Sequence, residues 1–201
     1  MSDAAVQFDA ETHTYMLGAN RLPSVTEVIR SVIAPDEYAG VSAEVLEHAA
    51  QRGRAVDRMI ELDLSDELDP DSLSPEVLPY WRAWERFPER MAWRSEAPEC
   101  QKLVVDAQRG YAGTLDIYLR DSRRLIDVKA TALLPKTVGV QTAAYAGAYA
   151  AGNSIDPATI TRYCLHVTPA GCRLVQLATR SDGADFLAAL GAYNWWQHNG
   201  Y

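Results

Sequence analysis

Two short segments bring together side chains that could share one chemical task. Gly113-Thr114-Leu115-Asp116 is followed by Ile126-Asp127-Val128-Lys129, with ten residues between the two aspartates. Asp127 and Lys129 are two apart, so both face the same side of an extended segment. Leu125, Ile126 and Val128 make that segment otherwise apolar. A charged pair rising from a buried strand needs partners or a metal ion. Asp-x-Lys alone is a weak signal. Gln141 and Tyr145, four apart on the next helical segment, add to it because they share one helix face. Taken singly, each is equally readable as a satisfied edge of the core.

The surrounding periodicity predicts the elements that hold these groups. Residues 100–106, 111–119 and 124–129 read as three strands of a meander, separated by the turn-like Gln108-Arg109-Gly110 and Asp121-Ser122-Arg123. A helix over 138–151 follows, then strands over 160–167 and 172–177, then a helix over 182–198. Upstream, 5–22 reads as a hairpin with a turn at Gly18-Ala19-Asn20. Ser24 with Glu27 forms a capping box that opens a short helix over 24–33. A longer helix runs over 42–62, with Gly53 in its middle, where glycine costs about 1 kcal/mol relative to alanine. Close approach of another backbone would explain it. Residues 61–76 hold seven acids and no base, and read as a solvated loop. Ser74-Pro75 starts a helix ending near Pro88, whose Tyr80, Trp81 and Trp84 read as core. Trp195 and Trp196 are likewise expected to pack inside. No linker separates two domains. One domain over 1–201 is expected, with a hairpin and helical part over 1–95 and a sheet with its helices over 96–201. The pattern is α/β or α+β.

Composition sets limits. The 201 residues carry a formal charge of −8, which argues against non-specific coating of nucleic acid. Three cysteines without a Cys-x-x-Cys pair argue against a disulfide scaffold or a zinc ribbon. The N-terminus lacks the basic and apolar regions of a signal peptide, and no apolar run is long enough to span a bilayer. A soluble, cytoplasmic protein with no membrane partner is expected.

In order and spacing, Gly113-Thr114-Leu115-Asp116, Asp127-Val128-Lys129 and Gln141-Thr-Ala-Ala-Tyr145 resemble the PD-(D/E)XK nuclease superfamily, in its RecB-type and phage-exonuclease-like branch. Phe8-Asp9-Ala10-Glu11-Thr12-His13-Thr14-Tyr15 with Leu22-Pro23-Ser24-Val25-Thr26 resembles the opening of phage-encoded members. The resemblance implies a restriction-endonuclease-like mixed central sheet flanked by helices, with an N-terminal hairpin and helical wall. It also implies a Mg²⁺- or Mn²⁺-dependent deoxyribonuclease, in first place an exonuclease of phage or prophage DNA processing and recombination. Alternatives are a structure- or sequence-specific endonuclease, or a non-catalytic DNA-binding or assembly module with a decayed site. By family analogy alone, a recombination annealing protein is a possible partner.

The resemblance also implies roles. Asp116 and Asp127 would ligate the cation, with the Val128 carbonyl beside them. Lys129 would orient or activate the attacking water. Gln141 and Tyr145 would bound the site and touch phosphate. Glu99, or failing that Glu96, would complete the ligand set. RecB-type members carry a histidine ligand on an N-terminal helix, and here Asp57 stands in that place, a carboxylate equally suited to Mg²⁺ or Mn²⁺. DNA contacts would fall to Arg52, Arg54, Thr131 and Lys136. Clustered acids repel one another unless a divalent ion neutralises them. On that reading the −8 charge implies metal-dependent DNA binding rather than no DNA binding.

Overall fold

The computed structural model describes residues 6–9 and 12–200. Residue 5 of the expected hairpin, Ala10 and Glu11 of the phage-like opening, and most of the segment read for a leader lie outside them.

Strands β1 (Val6–Asp9), β2 (Thr14–Leu17) and β3 (Asn20–Leu22) form a small antiparallel sheet. The third strand was not expected, because Asn20 looked like part of the turn. Gly18, at φ +60°, makes the turn early, and Asn20 already pairs with Leu17. Ser24 caps α1 (Val25–Val28): its hydroxyl accepts from the Glu27 N–H at 3.0 Å, and the Glu27 carboxylate accepts from the Ser24 N–H. The helix continues as a π turn over Ile29–Ile33. Helix α2 (Ala43–Leu64) begins at the Ser42 cap, and α3 (Leu78–Glu85) and α4 (Arg90–Arg94) follow.

The main sheet has the order β4-β5-β6-β7-β8. Strands β4 (Pro98–Asp106), β5 (Tyr111–Leu119) and β6 (Arg124–Lys129) make the expected antiparallel meander. Helix α5 (Val138–Asn153) crosses over so that β7 (Thr161–Thr168) pairs parallel with β6. Strand β8 (Gly171–Leu177) closes the sheet antiparallel, and α6 (Asp182–Asn199) ends the chain. The sheet is therefore mixed, with helices on both faces. Under α5 and α6, the core joins Val25 and Val28 to Leu115, Leu125, Tyr145 and Phe186. On the other face, Val56, Ile60, Trp84 and Trp93 pack with Ile117, Ile126 and Leu165.

Three readings of the sequence are corrected. Asp63, in the acidic run read as solvated, is 1% exposed and binds Trp84, Arg90 and Arg94. Trp195 and Trp196 are not core residues: they are 55% and 39% exposed, while Phe186, Leu190 and Tyr193 fill the buried face of α6. Gly53 is not explained by close backbone approach, since a side chain there would meet open space. No helix among the described residues is long and apolar enough to cross a membrane.

Candidate active site

The site forms where β5 and β6 part. Their ladder runs Leu119↔Arg124, Tyr118↔Leu125, Ile117↔Ile126 and stops. The next residues are Asp116 and Asp127. Beyond the fork β6 pairs only with β7, and the Val128 N–H loses its acceptor on β5. Asp116 supplies one instead, its Oδ2 accepting that N–H at 2.7 Å. The aspartate side chain thus holds the fork open and is itself fixed.

The β4–β5 ladder is also broken at this level. Gln101 has φ +46° and leaves the pairing between Cys100↔Ile117 and Lys102↔Leu115. Its side chain helps to hold the Asp116 carboxyl down against the effect of burial. The irregularity explains why Leu115 and Ile117, two apart, pack into opposite cores.

Asp127 is 1% exposed, and its Oδ2 lies 2.7 Å from Lys129 Nζ. Ile126 and Val128 bury their side chains in the core on the far face, so Asp127 and Lys129 project toward α5. There Gln141 Nε2 donates to Tyr145 Oη at 3.2 Å. The Tyr145 ring lies on Gly113, where an added Cβ would come within 2.5 Å of Cε1. This contact supplies a physical reason for glycine at the head of Gly-x-x-Asp. Gly113→Ala is expected to push Tyr145 off the site at a cost of about 1–3 kcal/mol, as overpacking does. A chemical-denaturation curve measures it, and unchanged stability would contradict the packing.

Asp57 arrives from α2. Val56, Met59 and Ile60 anchor that helix in the core, which leaves Gly53, Arg54 and Asp57 on a face lining a cleft of about 650 Å³ with Lys129 and Gln141. Asp57 Oδ1 is buried without a hydrogen-bond partner, as is Asp127 Oδ1. The bare Gly53 backbone is therefore part of the cleft wall.

Burial raises the pKa of all three aspartates. Asp116 is pushed up to about 7 by burial and then by Asp127, against the pull of Lys129 and the Val128 N–H. Asp57 is driven well above the usual carboxylate range by burial and by Asp116. Asp127 rises by burial, opposed by Lys129. Burial alone would lower Lys129, but Asp127 and Asp116 outweigh it and raise its pKa, so it stays an ammonium. For an acid whose pKa is higher folded than unfolded, stability is fullest below the unfolded value and drains away as pH rises to the folded one. Metal-free protein should therefore melt progressively lower between pH 5 and about 7, in a thermal scan with chelator. Asp116→Asn should flatten that slope. A slope of the same size in the variant would refute the assignment.

The structure does not bring Glu99 or Glu96 into this group. Glu99 pairs in register with Tyr118, and its carboxylate accepts from Tyr149 Oη at 2.7 Å, with Lys102 at 3.4 Å and Arg120 at 3.9 Å. Glu96 is ion-paired with Arg124. The β4–β5 register puts Gln101, not a glutamate, opposite Asp116. Of the expected DNA contacts, Arg54 lines the cleft while paired with Glu47 at 2.9 Å, and Arg52 reaches toward Glu76 at 3.8 Å. Thr131 lines the same cleft, and Lys136 an adjoining cavity. Sequence reasoning missed Arg162, whose Nη1 donates to the Gly139 carbonyl at 2.6 Å and meets Asp182 at 3.0 Å. It ties the first turn of α5, and with it Gln141, to β7 and α6.

Among the described residues, no three His, Cys, Asp or Glu side chains already stand as a metal cage. The donors nevertheless suit a hard cation. They are the carboxylates of Asp57, Asp116 and Asp127 with the Val128 carbonyl, all oxygen. Mg²⁺ takes only one or two carboxylates, completing its shell with water and phosphate. The buried, unpartnered oxygens of Asp57 and Asp127 are open to such a role.

No protein-family model matches the chain, and no curated protein matches its sequence. Solved structures do match. The "Putative exonuclease" of Eubacterium rectale aligns at TM-score 0.58 and 14% identity over 89% of this chain and 82% of its own. SSO0001 aligns at TM-score 0.44 and 15% identity over 92% of this chain and 80% of its own. The five-stranded mixed sheet with flanking helices is thus a fold shared with the Eubacterium rectale protein.

Proposed function

We propose that the chain is a divalent-metal-dependent deoxyribonuclease of the PD-(D/E)XK type. In first place it would be an exonuclease serving phage or prophage DNA processing. The observation that carries the reading is the convergence of Asp116, Asp127 and Lys129 at the β5/β6 fork, with the buried Oδ1 of half-buried Asp57 beside them. The exonuclease description of the Eubacterium rectale protein supports the same direction.

Asp116 and Asp127, with Asp57 and the Val128 carbonyl, would hold the cation. When bound, it would supply Lewis-acid charge at the phosphate and a more acidic water. Lys129 contributes something else. Its raised pKa keeps it protonated, so it cannot serve as a base; it acts as a fixed positive donor toward the phosphate oxygens or the attacking water. Gln141 borders the cleft from α5 and places a neutral donor along it, and buried Tyr145 accepts from Gln141 behind the wall.

The test is incubation with linear and with circular DNA in Mg²⁺, in Mn²⁺ and in EDTA. Metal-dependent loss of linear DNA alone is the expected result, and nicking of circles would make the protein an endonuclease. Asp116→Asn should lose cleavage. DNA left intact with every metal, or an Asp116→Asn protein cutting at the wild-type rate, would sink the proposal.

A further inference from the structure

The cleft that holds Asp57 and Lys129 does not stop at the carboxylates. A second cavity of about 650 Å³ adjoins it, and Tyr38, Thr131, Pro135 and Thr137 line both. This outer cavity lies between the π turn with the segment after it (33–38) and the segment joining β6 to α5 (131–137). Its lips are apolar and wet: Ile33 is 38% exposed, Tyr38 44% and Leu133 84%. Contiguous apolar groups left in solvent beside a cleft mark a binding surface. Cations accompany them. Lys136 lines the outer cavity, and Arg30 lines the inner cleft from the π turn. Among the described residues Arg30 has no ion pair. A π turn is a distortion that recurs at functional sites.

We propose, resting on the nuclease reading, that this groove holds a single strand of DNA leading to Lys129. Its bases lie against Tyr38 and Leu133, and its phosphates lie toward Arg30 and Lys136. An aromatic platform interleaved with cations suits unpaired bases, whose faces are free to stack. A duplex keeps those faces inside and would leave the apolar lips uncovered. It also carries denser charge, about one negative charge per 1.7 Å of axis. Glu37, which lines both cavities, and Glu47 on the inner cleft repel phosphate, and they weigh more against the denser charge of a duplex than against one strand. The chemistry therefore selects an unpaired strand or a frayed end.

The experiment is fluorescence anisotropy at low salt in Ca²⁺, a hard divalent ion that neutralises the acids, with each probe checked for intactness after the measurement. The probes are labelled decathymidylate, an abasic decamer and a ten-base-pair duplex. Decathymidylate should bind at least about tenfold tighter than the other two. Tyr38→Ala should remove that preference and Tyr38→Trp should keep it; Tyr38 is exposed enough that neither change endangers the fold. Equal binding of the abasic strand, tighter binding of the duplex, an unchanged Tyr38→Ala affinity or no measurable binding would each overturn the proposal. The two readings fail separately. Metal-dependent cleavage by a protein whose Tyr38→Ala variant binds normally leaves the nuclease and removes the groove. Tyr38-dependent strand binding without cleavage in any metal does the reverse.

Discussion

Lys129→Ala is expected to lower metal-dependent DNA cleavage by about a thousandfold, the scale set by removing one preorganised donor from a buried site. The ammonium lies 2.7 Å from Asp127 Oδ2 and acts electrostatically on Asp116, Asp57 and Tyr145. Its charge acts on all three aspartates. Without it, developing negative charge at the phosphate would face acids alone. Lys129→Arg should not rescue activity, because a planar fork does not occupy the place of a compact point charge. The variant should still fold. Breaking a buried pair is costly when the remaining charge is trapped, but these acids already hold protons more tightly than usual and can neutralise themselves. That escape has a pH signature. Removing Lys129 raises the aspartate pKa values further, so melting temperature should fall more steeply than in wild type as pH rises from 6 to 8. Single-turnover cleavage and thermal scans measure the two effects. Activity within about threefold of wild type would remove Lys129 from the proposed chemistry.

What could be read in advance, and what could not, follows from the range of the forces involved. The bounds of β5 and β6 coincide with the sequence reading because alternating apolar residues end at strong turn clusters, both local signals. Asp116, Asp127, Lys129, Gln141 and Tyr145 were legible because their spacings bring them onto adjoining faces of neighbouring elements. Asp57 was legible only through the family resemblance, since nothing in the helix pattern says that its buried edge meets the β5/β6 fork. Glu99 was misplaced because the register between β4 and β5 is set by long-range pairing that spacing along one strand does not reveal, and it puts Glu99 beside Tyr118 and Gln101 opposite Asp116. Trp195 and Trp196 were misread because α6 has enough apolar residues to fill its buried face without them. Asp63 failed for a different reason. Within its own acidic run it looks solvated, and the arginines that bury it come 27 and 31 residues later.

That cluster yields the largest expected effect on stability. Asp63 sits in the last turn of α2, where a carboxylate opposes the helix dipole. It is held there by Trp84 Nε1 at 2.8 Å, Arg90 Nε at 2.7 Å, a further bond from the Arg90 guanidinium, and Arg94 at 2.6 Å. Those arginine side chains are only 15% and 23% exposed. Asp63→Ala would leave the Arg90 guanidinium and an indole N–H largely buried without their acceptor, and Arg94 with Asp66 at 2.8 Å in place of two partners, so a loss of about 3–5 kcal/mol is expected in urea unfolding at pH 7. Asp63→Asn could keep one neutral acceptor and should lose less. Replacing the triad together, as Asp63→Leu with Arg90→Met and Arg94→Met, should recover much of the loss, because the charges then leave the interior as a set. The pH dependence has the opposite sign to that of the aspartates at the β5/β6 fork. Burial pushes the Asp63 carboxyl up, but its bonds to Arg90, Trp84 and Arg94 outweigh burial and hold it below the usual range. Its contribution is therefore complete above the unfolded value near about 4 and lost as pH falls through the lower folded value. Wild-type melting temperature should drop on that acid limb, and Asp63→Ala should show a shallower drop. A variant within about 1 kcal/mol of wild type at neutral pH would mean that Arg90 and Arg94 find other acceptors, and that α2 is anchored by its apolar face alone.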